Sequence, residues 1–280
     1  MLMAQRLSPA LGAILEAPSF DEAAMPALAE AAYEALMEHQ VLFFRDQELD
    51  LDQHKAFGRR FGQLAIHPAS PGPNGHPEIV MVHADGETNR DMGRTWQASH
   101  WHTDVSCVEE PPMGSVLHMQ TVPPFGGDTL FASMSAAYDA LSPQMRAFLT
   151  PLKAVNDFRH GFRESLAEPG GAERLAPAIA ENPPVEHPLV CTHPESGRKA
   201  IYANALFTTQ IVGLPSKESD ALLAFLYQHV VAVEHTVRLS WQPGTVAIWD
   251  NRSTQHKPVN DFFPQHRLMH RVTLTGDQPV

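Results

Sequence analysis

His235-Thr236-Val237-Arg238-Leu239-Ser240-Trp241, then Gln242-Pro243, then Gly244-Thr245-Val246-Ala247-Ile248-Trp249, reads as two strands separated by a Pro/Gly turn. Short runs rich in β-branched and aromatic residues and bounded by Pro and Gly are the strand signature. A third late strand, residues 270–275, closes the chain. Runs of the same kind fall at residues 41–44, 78–83, 114–122, 128–132, 189–193 and 200–203. Between them, apolar spacing and caps predict helices over residues 19–40, 50–61, 133–149 and 216–229. The first has Met25, Leu28, Ala32 and Leu36 along one stripe. Residues 151–184 mix Gly, Pro and charges and read as an excursion or lid. Many short strands with a few helices, not in regular alternation, predict a mostly β chain with flanking helices. A β-sandwich or barrel is expected, and a jelly roll of the cupin kind fits. No Gly-rich strand-to-helix turn is present, which argues against a dinucleotide or P-loop site.

The 280 residues are 43% hydrophobic and 19% charged, ordinary globular values for one large domain or two small ones. A net charge of -12 argues against a nucleic-acid-binding surface, which would be basic. It leaves room for an anionic substrate, because a local Arg pocket can oppose the global sign. Two cysteines, Cys107 and Cys191, make no disulfide framework and no C-x-x-C motif, so a reducing cytoplasm is the expected setting. The N-terminal residues lack the basic and apolar regions of a secretory signal, and no apolar run is long enough to span a membrane.

His102 and Asp104 lie in His100-Trp101-His102-Thr103-Asp104-Val105. On a strand, residues two apart share a face, so an imidazole and a carboxylate would aim at one point. With one distant His they would form a 2-His-1-carboxylate triad, which binds Fe(II) and leaves positions open for substrate and oxygen. The candidate third ligand is His256, after the apolar strand that runs into Asp250-Asn251-Arg252-Ser253-Thr254-Gln255. Arg267 and Arg271 straddle the start of the last strand and, four apart, share a face if it is regular. Two guanidiniums there would be costly to bury without anionic partners. Arg also grips carboxylates and sulfonates with a fixed fork of donors. A salt-bridged or exposed pair is the alternative.

Together these motifs resemble the taurine dioxygenase-like family of Fe(II)/α-ketoglutarate-dependent dioxygenases. The resemblance rests on His39-Gln40-Val41-Leu42-Phe43-Phe44-Arg45-Asp46-Gln47, Phe61-Gly62, Trp101-His102-Thr103-Asp104-Val105, Gly126-Gly127-Asp128-Thr129, Trp249-Asp250-Asn251-Arg252 and Gln255-His256 with Arg267-Leu268-Met269-His270-Arg271. It covers nearly the whole chain and implies a single domain over residues 1–280 with a double-stranded β-helix (jelly-roll) core. It implies that His102, Asp104 and His256 bind Fe(II), and that Arg267 and Thr129 hold α-ketoglutarate, with O2 as the second cosubstrate. His100 then reads as pocket lining or structure.

In sulfonate-cleaving members, a His in an Ile/Val-His-Pro turn and a terminal Arg meet the sulfonate. Here they would be His67, in Ile66-His67-Pro68, and Arg271. Phe158 and Phe207 match two aromatic pocket walls. Two positions depart from the taurine pattern: Ser70 stands where a Tyr is expected and Ala98 where an Asn is expected. These changes imply a roomier, less polar pocket and point away from taurine itself. The expected substrate is a small anion, an alkyl sulfonate or alkyl sulfate ester, giving sulfite or sulfate plus aldehyde, with succinate and CO2. The alternatives are the same chemistry on an aryloxyalkanoate or other carboxylate, a metal-dependent hydrolase with the same ligands, and a non-catalytic jelly-roll binding protein. The resemblance also implies a homo-oligomer, a dimer or tetramer.

Overall fold

The computed structural model describes residues 3–17, 19–66, 72–73, 75–84 and 100–280. The predicted pocket residues His67, Ser70 and Ala98 lie outside the described residues.

The chain opens with β1 (Ala4–Arg6), β2 (Ala13–Leu15), α1 (Met25–His39) and β3 (Val41–Phe44). Helix α1 has Pro26 in its first turn and stops where Gln40 takes a φ of 64°. Helix α2 (Leu51–Gly58) starts from a capping box between Asp50 and Gln53. Next come β4 (Val80–Ala84), β5 (Gly114–Thr121) and β6 (Thr129–Ser133). The helix expected over 133–149 is two helices, α3 (Met134–Ala140) and α4 (Pro143–Leu149). Pro143 drives Ser142 out of the helical region, and Ser142 then caps α4 by accepting from the Met145 N–H.

The excursion is ordered: β7 (Lys153–Asn156), α5 (Phe158–Gly161), α6 (Arg163–Ala167), α7 (Gly171–Glu181) and β8 (Val185–Pro188). The chain ends with β9 (Val190–Thr192), β10 (Lys199–Ile201), β11 (Thr208–Ile211), α8 (Ser216–Val230), β12 (Thr236–Leu239), β13 (Val246–Asp250), β14 (Thr254–Pro258) and β15 (Arg267–Leu274). Strand β15 starts earlier than expected, so Arg267 and Arg271 both lie on it instead of straddling its start.

The major sheet has the order β1-β2-β3-β13-β5-β15-β4, and a three-stranded sheet has the order β12-β6-β14. Two smaller sheets, β11-β7-β8 and β10-β9, flank them. Side chains of the major sheet alternate between two cores, as the pleat requires. Leu42, Phe44, Val246, Ile248, Val116 and Val272 join Leu28, Leu36 and Phe57 of α1 and α2 in an outer core. Val41, Phe43, Ala247, Trp249, Leu117 and Met269 face inward, where they meet Phe131 of β6 and Val237 and Leu239 of β12. Two facing sheets with helices packed on the larger one make a double-stranded β-helix, as expected from the sequence.

Candidate active site

His102 and His256 are joined through their backbones. The His102 N–H donates to the His256 carbonyl at 3.1 Å and the His256 N–H to the His102 carbonyl at 2.7 Å. Here the sequence expectation needs correction, because His102 sits in an isolated bridge and Asp104 opens a turn rather than continuing a strand. Val105, with φ 46°, bends the chain immediately after the carboxylate. Only His102 to Asp104 keep the two-residue alternation. Between them Thr103 points away and donates its hydroxyl to the Asn251 carbonyl at 2.8 Å. Asn251 in turn accepts from the Trp249 indole at 2.9 Å, and the Trp249 ring lies 5.0 Å from that of His256. Asn251 thereby ties the turn bearing Asp104 to the indole that lies beside the His256 ring.

The ligand atoms of His102, Asp104 and His256 all lie within 4.8 Å of one another, and all three residues are buried. Each Nε2 is 3.9 Å from Asp104 Oδ1, too far for a hydrogen bond. His102 Nδ1 lies 2.8 Å from the His100 carbonyl, which fixes the tautomer and leaves the Nε2 lone pair facing inward. Burial holds both imidazoles uncharged: His102 is lowered and His256 is pushed down to about 3. Burial alone would raise the Asp104 carboxyl, but Arg271, the two imidazoles and the Ser115 hydroxyl, at 3.2 Å, hold it well below the usual carboxylate range. Two neutral imidazoles and an ionised carboxylate converging on one point suit a first-row divalent ion. Bonds of about 2.0–2.2 Å to N and O are the general expectation for such ligands.

A cavity of about 90 Å³ beside this triad is lined by Thr129, Arg267 and Trp241 among others. Arg267 is buried, its Nε has no hydrogen-bond partner, and among the described residues no carboxylate forms a salt bridge with it. Burial pushes its pKa down to about 10, against the pull of Asp128, so it remains a cation at neutral pH. Thr129 follows the Gly126-Gly127 turn and its Oγ1 accepts from the Trp241 indole at 3.0 Å. An indole N–H only donates, so the Thr129 hydroxyl proton is left to donate elsewhere. A buried guanidinium beside an aligned hydroxyl donor is the constellation a carboxylate needs. Gly127, at φ +72°, makes room for the guanidinium arm: a Cβ there would lie 3.3 Å from Arg267 Cδ.

A second cavity, of about 310 Å³, has Asp104 and Arg271 in its wall. Arg271 Nη1 donates to Asp104 Oδ1 at 3.4 Å, and Arg271 Nε is buried with no partner among the described residues. Phe158 lines this cavity, stacked on Phe162 at 4.2 Å. Phe207 lines neither cavity; it packs behind, against Phe162 and Gly161. Ser115, Trp241, Phe162, Leu175 and Ala178 were given no role from the sequence, and Asn251 entered only as part of the Trp249-Asp250-Asn251-Arg252 motif. Only the aromatic residues carried any signal, and an isolated aromatic more often signals a core.

A family model described as taurine catabolism dioxygenase TauD, TfdA family matches residues 4–273. An alkylsulfatase of Acinetobacter baylyi is 38% identical over 250 residues, 88% of this chain and 76% of that protein. An alpha-ketoglutarate-dependent sulfate ester dioxygenase of Pseudomonas putida is 35% identical over 282 residues, 99% of this chain and 89% of that protein. Among solved structures, a taurine dioxygenase from Burkholderia xenovorans superposes with a TM-score of 0.84 at 35% identity, covering 100% of this chain and 91% of that one. Fe(II), α-ketoglutarate and O2 are the metal and cosubstrates of this family, and the donor set described above fits them. The chain belongs to the taurine catabolism dioxygenase TauD, TfdA family and is an Fe(II)/α-ketoglutarate-dependent dioxygenase.

Proposed function

We propose that this enzyme oxidises the carbon next to the anionic head of an alkyl sulfate ester or alkyl sulfonate. One oxygen atom of O2 enters that C–H bond and the other enters α-ketoglutarate, which becomes succinate and CO2. The hydroxylated carbon then loses sulfate or sulfite and becomes an aldehyde. The observation that carries this reading is the Arg271 guanidinium, set beside the Asp104 carboxylate in the wall of an otherwise largely apolar cavity.

In this reading His102, Asp104 and His256 hold Fe(II), which when bound supplies the oxidising chemistry. Arg267 and Thr129 hold the distal carboxylate of α-ketoglutarate and Trp241 aligns the Thr129 hydroxyl. Arg271 takes the substrate anion, with His67 assigned beside it on the family pattern alone. Phe158 and Phe162 keep water from the substrate's apolar part, and Phe207 supports them from behind. The protein contributes orientation and a dry site, and the metal contributes the reactivity. We read residues 1–280 as one catalytic domain in which 151–184 form a lid over the second cavity, supported by Phe158, Phe162, Leu175 and Ala178 in its wall. A homo-oligomer and a cytoplasmic setting complete the reading. The first is supported by family likeness alone, the second by two buried free thiols and by the lack, among the described residues, of any helix long and apolar enough to cross a membrane.

The test is a turnover screen with Fe(II), α-ketoglutarate and O2 over alkyl sulfates, alkyl sulfonates and aryloxyalkanoates, reading succinate together with sulfate, sulfite or phenol. Sulfate or sulfite release that requires both O2 and α-ketoglutarate is the expected result. Release that persists without them would make the protein a hydrolase. Succinate production unmoved by every anion would refute the anion pocket.

A further inference from the structure

The cavity that holds Asp104 and Arg271 is walled partly by a helix that does not belong to the jelly roll. Leu175, Ala178 and Asn182 of the α7 region all line it, at spacings that place them on one helical face. Leu175 is buried, and Ala178 and Ile179 pack, together with Val105, Val108 and Phe162, against the cluster of Cys107, Phe158, Leu206 and Phe207. Asn182 is the polar residue of this face, and one N–H of its amide is used within the helix, donating to the Ala178 carbonyl at 2.7 Å. The wall α7 presents is therefore apolar at Leu175 and Ala178 and polar at its Asn182 end.

The lining residues differ in exposure. Asp104 is buried and half-buried Arg271 is hydrogen-bonded to it, while Ile66 and Glu110, also in the lining, are exposed. A substrate whose anion rests on Arg271 would find Val105, Phe162, Leu175 and Ala178 as apolar surface for its tail in the same cavity. Glu110 there disfavours a second negative charge. The place of α7 is fixed by a tight corner with α6: a Cβ on Gly171 would lie 1.9 Å from the Ser165 carbonyl oxygen. The reach of this wall into the cavity is set by the side chains that α7 carries.

We propose that α7 is the chain-length ruler of this enzyme, with Leu175 and Ala178 as specificity-determining residues for an uncharged alkyl tail. The proposal rests on the assignment of Arg271 to the substrate anion. Ala178 is the smallest side chain on the lining face and sets the space for the tail; Leu175 limits it one turn away.

The test is a kcat/KM profile over n-alkyl sulfates and n-alkyl sulfonates from propyl to dodecyl, for the parent, Ala178→Phe and Leu175→Ala. Ala178→Phe is expected to shift the optimum to shorter tails, lowering the octyl-to-propyl ratio by about tenfold or more, the usual discrimination per excluded methylene. Leu175→Ala is expected to move the ratio the other way. Opposite signs from two changes on one helix face are not what a general loosening of the lid would give. Thermal midpoints check folding, and Ala178→Val replaces Ala178→Phe if the larger ring prevents it. A parent that turns over these anions with a profile that neither position moves would overturn the ruler and leave the anion reading standing. A parent inactive on every one of them would overturn both.

Discussion

At the scale of single residues, the site depends on hydrogen bonds that restrict what a neighbour can do. Trp241 fills one lone pair of the Thr129 hydroxyl and so assigns its proton to whatever lies opposite. Trp241→Phe removes that assignment, and α-ketoglutarate binding is expected to weaken roughly fivefold, about 1 kcal/mol, the net worth of one such hydrogen bond. In a Thr129→Val background the same change should cost almost nothing, because the pair acts as a unit. Equilibrium titration of the four proteins measures this, and full additivity would break the coupling. His102, Asp104, His256, Arg267 and Arg271 stand out in the sequence because their side-chain chemistry is rare inside a protein, and the fold gathers them around two adjoining cavities. Trp241 and Ser115 do not stand out. Their roles exist only because folding brings Trp241 to Thr129, 112 residues away along the chain, and Ser115 to Asp104. Phe207 shows the reverse case, an aromatic residue matched by motif that the fold places behind the wall rather than in it.

At the scale of elements, turn geometry delivers the functional groups. Gly127 is left-handed, and a Cβ there would press on Pro123 Cγ at 3.0 Å and Arg267 Cδ at 3.3 Å. Gly213 is equally left-handed, at φ +83°, with nothing within 4 Å of where its Cβ would be. Gly127→Ala and Gly213→Ala should therefore both lose about 1–2 kcal/mol of stability from backbone strain alone. Only Gly127→Ala should also weaken α-ketoglutarate binding. Equal binding losses in both variants would show that strain, not the displaced guanidinium, is responsible. The strands that alternate between two cores were legible from their apolar runs. Strand β14, which carries His256, was not, because Thr254-Gln255-His256-Lys257 has no apolar alternation and is held by pairing with β6. The division of α3 from α4 was legible in principle, since Ser142-Pro143 is a stop followed by a start.

At the scale of the whole molecule, the outer core contains a liability to acid. His54 of α2 is buried with its Nε2 3.0 Å from the Val116 carbonyl, and burial pushes its pKa down to about 3. His118 of β5 lies 6.1 Å away, ring to ring, and burial lowers both it and His270 of β15. Between the ordinary value of 6.5 and about 3, the unfolded chain holds a proton at His54 that the folded chain refuses. Stability therefore rises with pH across that window and is lost on acidification, by up to about 1.4 kcal/mol per pH unit for each such group. Urea midpoints at neutral pH and at about pH 5 should show this loss, and His54→Gln, which keeps a donor to Val116, should reduce it. An unchanged slope would remove His54 from the account. The sheet order was the least legible property of all. Apolar runs identify strands, but they do not say that β13 lies between β3 and β5.

That order has a consequence for how the protein is made. A ribosome releases β3, β4 and β5 long before β13 and β15, yet β13 joins β3 to β5 and β15 joins β5 to β4. Until the last strands emerge, the earlier ones are open edges with apolar faces, the kind of surface that nascent chains expose to chaperones and to one another. The candidate metal site keeps the same timetable, since both backbone hydrogen bonds described for His102 are made to His256. The three side chains that converge in this site are complete only once residue 256 has been made, so a chain that stops short of it keeps most of its sequence and lacks the site.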